Sequence, residues 1–69
     1  MKVSARNQFS GTVKHIVKRP VSAEITVTIA SGVEVVAVIS SASVDNLGIA
    51  VGKPARVLFK ASSVLVGVD

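Results

Sequence analysis

From Val21 to Ile29 every second residue is apolar, and that period of two decides what this chain can become. Val21, Ala23, Ile25, Val27 and Ile29 alternate with Ser22, Glu24, Thr26, Thr28 and Ala30, the pattern of a strand with one buried and one wetted face. Ser31-Gly32 makes a tight turn, and Val33–Ser40 follows as a second β-branched strand, so the two form a hairpin. The faces of that second strand, Val33, Val35, Ala37, Ile39 and Glu34, Val36, Val38, Ser40, are both largely apolar, which predicts cover on both sides. Upstream, Phe9–Val17 reads as a strand in which Gly11 tolerates a bend or bulge, ended by Lys18-Arg19-Pro20. Downstream, Arg56–Lys60 and Val64–Val68 read as two more strands, with a bulge or corner at Ala61-Ser62-Ser63. Only Ser41–Gly48 breaks the pattern. It offers a Ser cap, the apolar pair Val44 and Leu47 three residues apart, and a terminal Gly, which predicts one or two helical turns. Val51-Gly52-Lys53-Pro54 then turns the chain into the next strand. The sum is an all-β fold, a small OB-like barrel of five or six strands with one short helix. Closure would limit exposed edges; a small sandwich is the alternative. With no internal repeat or linker, residues 1–69 read as a single domain.

A domain of 69 residues hides only about 60% of its unfolded surface and is marginal alone. Small domains add disulfides, a metal or a partner subunit. Cysteine is absent, His15 is the only histidine, and the acids Glu24, Glu34, Asp45 and Asp69 lie far apart in sequence. No cation site is expected, and oligomerisation is the remaining supplement. Hydrophobic residues make up 49% of the chain, nearly all Val, Ile, Ala and Leu. That is more than so small an interior can hold, so an apolar outer face is expected to meet another copy. The longest apolar run, Val35–Ile39, is far short of a membrane span. No secretory leader is visible, so a cytoplasmic location and no membrane partner are expected.

The net charge of +4 and pI near 10.2 invite a nucleic-acid reading. Lys18-Arg19 is the only adjacent basic pair, however, and Phe9 and Phe59 are the only aromatics on which a base could stack. Catalysis has less support. By period two, His15 shares a face with Val13 and Val17 and reads as a part-buried structural histidine. No cysteine, paired carboxylates or Gly-rich phosphate loop accompanies it. No enzyme is expected, and no organic cofactor.

Two runs remain: Ser4-Ala5-Arg6-Asn7 and Lys60-Ala61-Ser62-Ser63. Each sets a cation among small hydroxyl and backbone donors, and neither holds an acid. A fully deprotonated tetrahedral oxyanion offers only acceptors and needs such donors aimed at it. Phosphate, part-protonated at pH 7, gains from an acceptor in its site; sulfate, molybdate and tungstate do not. Between sulfate and molybdate only cavity size decides.

Ser4-Ala5-Arg6-Asn7-Gln8-Phe9 followed by Gly11-Thr12-Val13 resembles the opening of the molbindins, also called Mop or molybdenum-pterin-binding proteins. Val21–Ile25, Ile39–Val44, Leu47-Gly48-Ile49, Gly52-Lys53 and Phe59–Val64 continue the likeness in order. The resemblance implies the OB-like unit that also occurs as the TOBE domain of molybdate transporter ATPases and regulators. It implies a hexamer, a trimer of dimers, that binds molybdate or tungstate at subunit interfaces for intracellular storage or homeostasis. By position, Ser4 and Arg6 of one subunit would face Ser40, Ser43, Lys60 and the Ala61 backbone N–H of another. A second class of site would lie around Lys18, Arg19 and Ser22. Relatives often carry Gly where Arg19-Pro20 stand here, and Ser40 stands for a frequent Thr, which keeps the hydroxyl. An OB-type nucleic-acid-binding module is the alternative.

Overall fold

The fold, taken from a computed structural model describing residues 1–69, is built around one long strand. β1 (Asn7–Lys18) pairs antiparallel with β4 (Pro54–Phe59) through its first half, from Asn7↔Phe59 to Thr12↔Pro54. Through its second half, from Thr12↔Thr28 to Lys18↔Ala23, it pairs with β2 (Ser22–Ala30). β2 in turn pairs with β3 (Val33–Ser40), giving a curled four-stranded antiparallel sheet in the order β3-β2-β1-β4.

Changing partners in mid-strand needs a local device, and two adjoin the crossover. Gly11 lies so close to β2 that a Cβ there would sit 2.4 Å from the Thr28 carbonyl oxygen and 2.8 Å from Val27 Cγ1. Two residues on, the register shifts between Val13 and His15, as a bulge does. The loop before β4 holds the buried Val13 in place. Val13 N–H donates to the Lys53 carbonyl at 3.0 Å and the Val13 carbonyl accepts from Gly52 N–H at 2.8 Å.

The bulge corrects the expectation for His15. Before it Val13 points inward; after it Ile16 does, opposite Ile25, and His15 and Val17 are exposed. The extra residue inverts the alternation, so His15 no longer shares the face of Val13. Gly11 serves close approach of strands, and the bulge lies just beyond it.

β2 follows its alternation. Ala23, Ile25 and Val27 are buried and, with Val13 and Val44, form the core, flanked by partly buried Ile16, Ile29, Ile39, Ile49, Ala55 and Val57. β3 departs from expectation. Its inward residues are part-buried, but Val36 and Val38 lie exposed on the outer face, Val38 at 71%. α1 (Ser41–Leu47) crosses the end of the sheet as predicted. Its cap is Ser40, and it stops at Gly48 in the left-handed conformation (φ 65°), which glycine adopts without a Cβ penalty. Val44 is buried and its neighbour at three residues, Leu47, is exposed.

The all-β, OB-like reading holds, with one difference in strand number. Four strands form within the chain; Ala61–Ser63 is a single 3-10 turn and residues 64–69 join no ladder. Leu65, Val66 and Val68 are almost fully exposed. β3 and β4 do not pair. Between them an apolar cleft of about 250 Å³ is lined by residues that include Ile39, Leu47, Ile49, Val57 and Leu58. Alternation specifies that a segment can pair, not that its own chain offers a free edge. No helix is long and apolar enough to cross a membrane.

Gly11→Ala should test the crossover. The added methyl meets strand backbone, which cannot move aside cheaply, and should cost about 1–3 kcal/mol in a urea unfolding titration.

Candidate functional site

The start of β1 and the end of β4 are neighbours because Asn7 pairs with Phe59. The residues just outside that pair, Ser4–Arg6 and Lys60–Ser62, therefore emerge side by side. They line one open cleft of about 330 Å³: Ser4, Ala5, Arg6, Lys60, Ala61 and Ser62. Phe9 and Phe59 stack on the adjoining strands, with ring centroids 5.8 Å apart and planes 24° from parallel, and brace the two strand ends.

The electrostatics of the cleft follow from where the carboxylates go. Glu34 pairs with Lys14 and Asp45 with Lys18, the latter at 2.6 Å. Arg6 and Lys60 have no carboxylate partner, and no acid lines the cleft. The turn after Lys60 adds backbone donors. Ser63 N–H and Val64 N–H bond to the Lys60 and Ala61 carbonyls, while the N–H groups of Ala61 and Ser62 take no backbone acceptor in the turn. Two cations, two hydroxyls and two turn amides without a carboxylate make a donor-rich surface, suited to an anion that can only accept.

Ser40 and Ser43 lie elsewhere. They sit at the junction of β3 and α1, where Ser40 pairs with Ser22 at the end of β1 opposite the cleft. The Ser40 side chain accepts from Ser43 N–H at 3.1 Å, and the two hydroxyls bond at 2.7 Å. All twelve residues of β1, rising about 3.3 Å each, separate this pair from the cleft. One chain thus holds two half-sets of donors, Ser4, Arg6, Lys60 and Ala61 at one end and Ser40 and Ser43 at the other. The resemblance had set Ser4 and Arg6 across an interface from Lys60 and Ala61; here the β1–β4 pairing gathers all four in one chain.

Lys18, Arg19 and Ser22 cluster at the β1–β2 turn with Asp45 in contact with Lys18. The turn is locked by Ser41, which the sequence pattern does not single out. Its buried hydroxyl donates to the Arg19 carbonyl and lies 3.0 Å from the Ser22 carbonyl, and its N–H donates to the Val21 carbonyl at 2.9 Å. Nothing in a Ser-Ser-Ala-Ser run distinguishes the cap, Ser40, from the clamp, Ser41. Ser62 also lines the cleft; the sequence reading singles out its run but does not assign Ser62 to the site.

A curled antiparallel sheet with one short helix, carrying an acid-free, donor-rich cleft at its edge, defines a class: small OB-like β-domains. A model of the TOBE domain matches residues 3–66. The chain is 42% identical over 69 residues, the whole of both chains, to a probable molybdenum-pterin-binding protein of Haemophilus influenzae. The fold superposes on a molybdate-binding protein from Sporomusa ovata with a TM-score of 0.90 at 40% identity, covering 99% of this chain and all of that one. It matches the cytoplasmic molybdate-binding protein ModG, in a form with molybdate bound, with a TM-score of 0.94 at 38% identity, covering all of this chain and 49% of that one. It is also 41% identical to the molybdenum transport protein ModE of Herbaspirillum seropedicae, of whose length it spans about a quarter (26%). The chain belongs to the TOBE-domain family of molybdenum-pterin-binding proteins.

The two serines at the helix start can be told apart by stability. Ser40→Ala removes the N-cap and should cost about 1 kcal/mol in a thermal melt. Ser43→Ala keeps the cap and should cost distinctly less.

Proposed function

We propose that this protein binds molybdate, or its congener tungstate, as an oligomer, and serves as an intracellular store of the oxyanion. The observation that carries this reading is the acid-free cleft in which Ser4, Arg6, Lys60 and Ala61 converge. Burying a dianion is costly unless charge and hydrogen bonds compensate it. Arg6 and Lys60 supply the charge, and the Ser4 hydroxyl and the Ala61 amide supply directed donors. The bound ligand in ModG supports molybdate as the anion.

The separation of the half-sets supports a site completed by a second copy. Ser40 and Ser43 of one subunit would close over the Ser4–Lys60 cleft of its neighbour. The surface supports assembly as well. Only six of 69 residues are buried, too few for a stable lone chain, and Val21, Val38, Leu65, Val66 and Val68 lie exposed. A hexamer built as a trimer of dimers is the assembly we propose. The apolar tail at Val64–Val68 and the open cleft between β3 and β4 are complementary in chemistry, as a strand given to a neighbour requires. The cytoplasm is the compartment we propose, in keeping with the absence of cysteine. The cleft's proposed role is binding rather than catalysis, in line with the molybdate-binding protein this chain resembles. The turn at Lys18, Arg19 and Ser22 is a weaker anion site, because Asp45 already neutralises Lys18.

Isothermal titration with molybdate, with sulfate and phosphate run under the same conditions, tests the reading. Saturable molybdate binding with far weaker control heats is expected, and no molybdate heat would overturn it. Lys60→Met removes one charge-assisted bond, about 1.5–3 kcal/mol, and should weaken molybdate roughly tenfold or more. Light scattering should give a mass near six times 7.1 kDa, and removing residues 64–69 should lower it.

A further inference from the structure

The cleft has one weakly anchored wall. Lys60–Ser62 is held by its 3-10 turn, with Ser63 N–H donating to the Lys60 carbonyl at 2.9 Å. Ser4–Arg6 precedes the first strand, and no residue from 1 to 6 takes part in the backbone bonds of the turns, loops and caps. One side-chain contact holds that segment: Gln8 Nε2 donates to the Ala5 carbonyl oxygen at 2.7 Å. Gln8 itself is fixed, because its backbone lies in β1 opposite Leu58. The contact runs from the second residue of a secured strand to the middle of the segment that presents Ser4 and Arg6.

We infer that Gln8 is a positioning residue for the oxyanion cleft, setting the Ser4–Arg6 wall before the anion arrives; this rests on the oxyanion reading above. The bond does two things. It removes freedom that residues 4–6 would otherwise lose on binding, the cost that preorganisation avoids. It also engages the Ala5 carbonyl, an acceptor in the cleft lining that would oppose an anion if it turned inward. Gln8 lines no part of the cleft and carries no charge, so its influence passes through Ala5. Glutamine suits this role because a side-chain amide donates without adding charge, and Asn is one methylene shorter.

The test is Gln8→Met, which keeps length and bulk and loses the donor, in the full chain. Three quantities are read: the molybdate Kd by titration, the melting temperature without anion, and the ¹⁵N order parameters of Ala5 and Arg6 without anion. The expected result is about tenfold weaker molybdate binding, a melting temperature within about 2 °C of the parent, and order parameters of Ala5 and Arg6 dropping toward values typical of flexible backbone, below about 0.6. A merely structural role would move the melting temperature and the affinity together. Unchanged order parameters at Ala5 and Arg6, or a Kd equal to the parent's, would overturn the inference. A parent protein that takes no molybdate would overturn the oxyanion reading instead. The order parameters would then still decide whether Gln8 holds the segment.

Discussion

β1 hydrogen-bonds to β4 through its first half and to β2 through its second, and it can do so because Gly11 lets the Thr28 carbonyl approach where any side chain would collide. The bulge after Val13 then resets the alternation so that Ile16 joins the core on the far side. Without that change of partner the sheet would be a flat hairpin with a detached strand. With it, the sheet curls around Val13, Ala23, Ile25 and Val27, and α1 covers the end with Val44. The same course places Asn7 beside Phe59, which brings two donor runs some fifty residues apart in sequence into one cleft. Fold and site therefore share one constraint, the path of a single strand.

That path also accounts for the division of the donors. The cleft opens at the first residue of β1, while Ser40 and Ser43 stand beside its last, at the start of α1. No rotation of side chains brings them together within one chain. On the proposed oxyanion reading, completing the anion's shell from both ends takes two copies, and several surface features favour that. The core is too small to stabilise a single chain, the tail at 64–69 has no partner of its own, and β3 and β4 present open edges. On that reading anion binding and assembly draw on the same contacts, and each would favour the other by mass action.

Much of this was legible in the sequence, and the misses share a cause. The alternation of β2 predicted its buried residues because both its neighbours are in the same chain. The helix was legible through its serine-rich start and terminal Gly, although the cap proved to be Ser40, one residue before the segment read as helical, and both cleft runs were legible through their chemistry. His15 was misplaced because a bulge inverts parity and leaves little mark in the sequence; Gly11, which did draw attention, serves close approach instead. Val36, Val38 and Val64–Val68 were misread for the opposite reason. Their apolarity is real, but a pattern of residues cannot say whether the surface covering them belongs to the same molecule. Gln8 and Ser41 make side-chain hydrogen bonds to backbone carbonyls, one for Gln8 and two for Ser41, which have no periodicity.

The chemistry of Ser40 and Ser43 shows how a structural contact prepares a functional one. A hydroxyl can accept or donate, and an acceptor-only anion has use for the proton alone. In capping α1, Ser40 spends a lone pair on Ser43 N–H, so the oxygen's acceptor capacity is directed into its own chain. The bond between the two hydroxyls consumes one of their two protons, which leaves one O–H free to point outward. The pair therefore presents a donor. In the assembly proposed above, that proton would add to the donors of Arg6, Lys60 and the Ala61 amide across an interface. Phosphate, which is part-protonated at neutral pH, would find no carboxylate in the cleft lining to accept its P–OH. On the proposed reading, discrimination against phosphate would draw on the same contacts that cap a helix and close a turn.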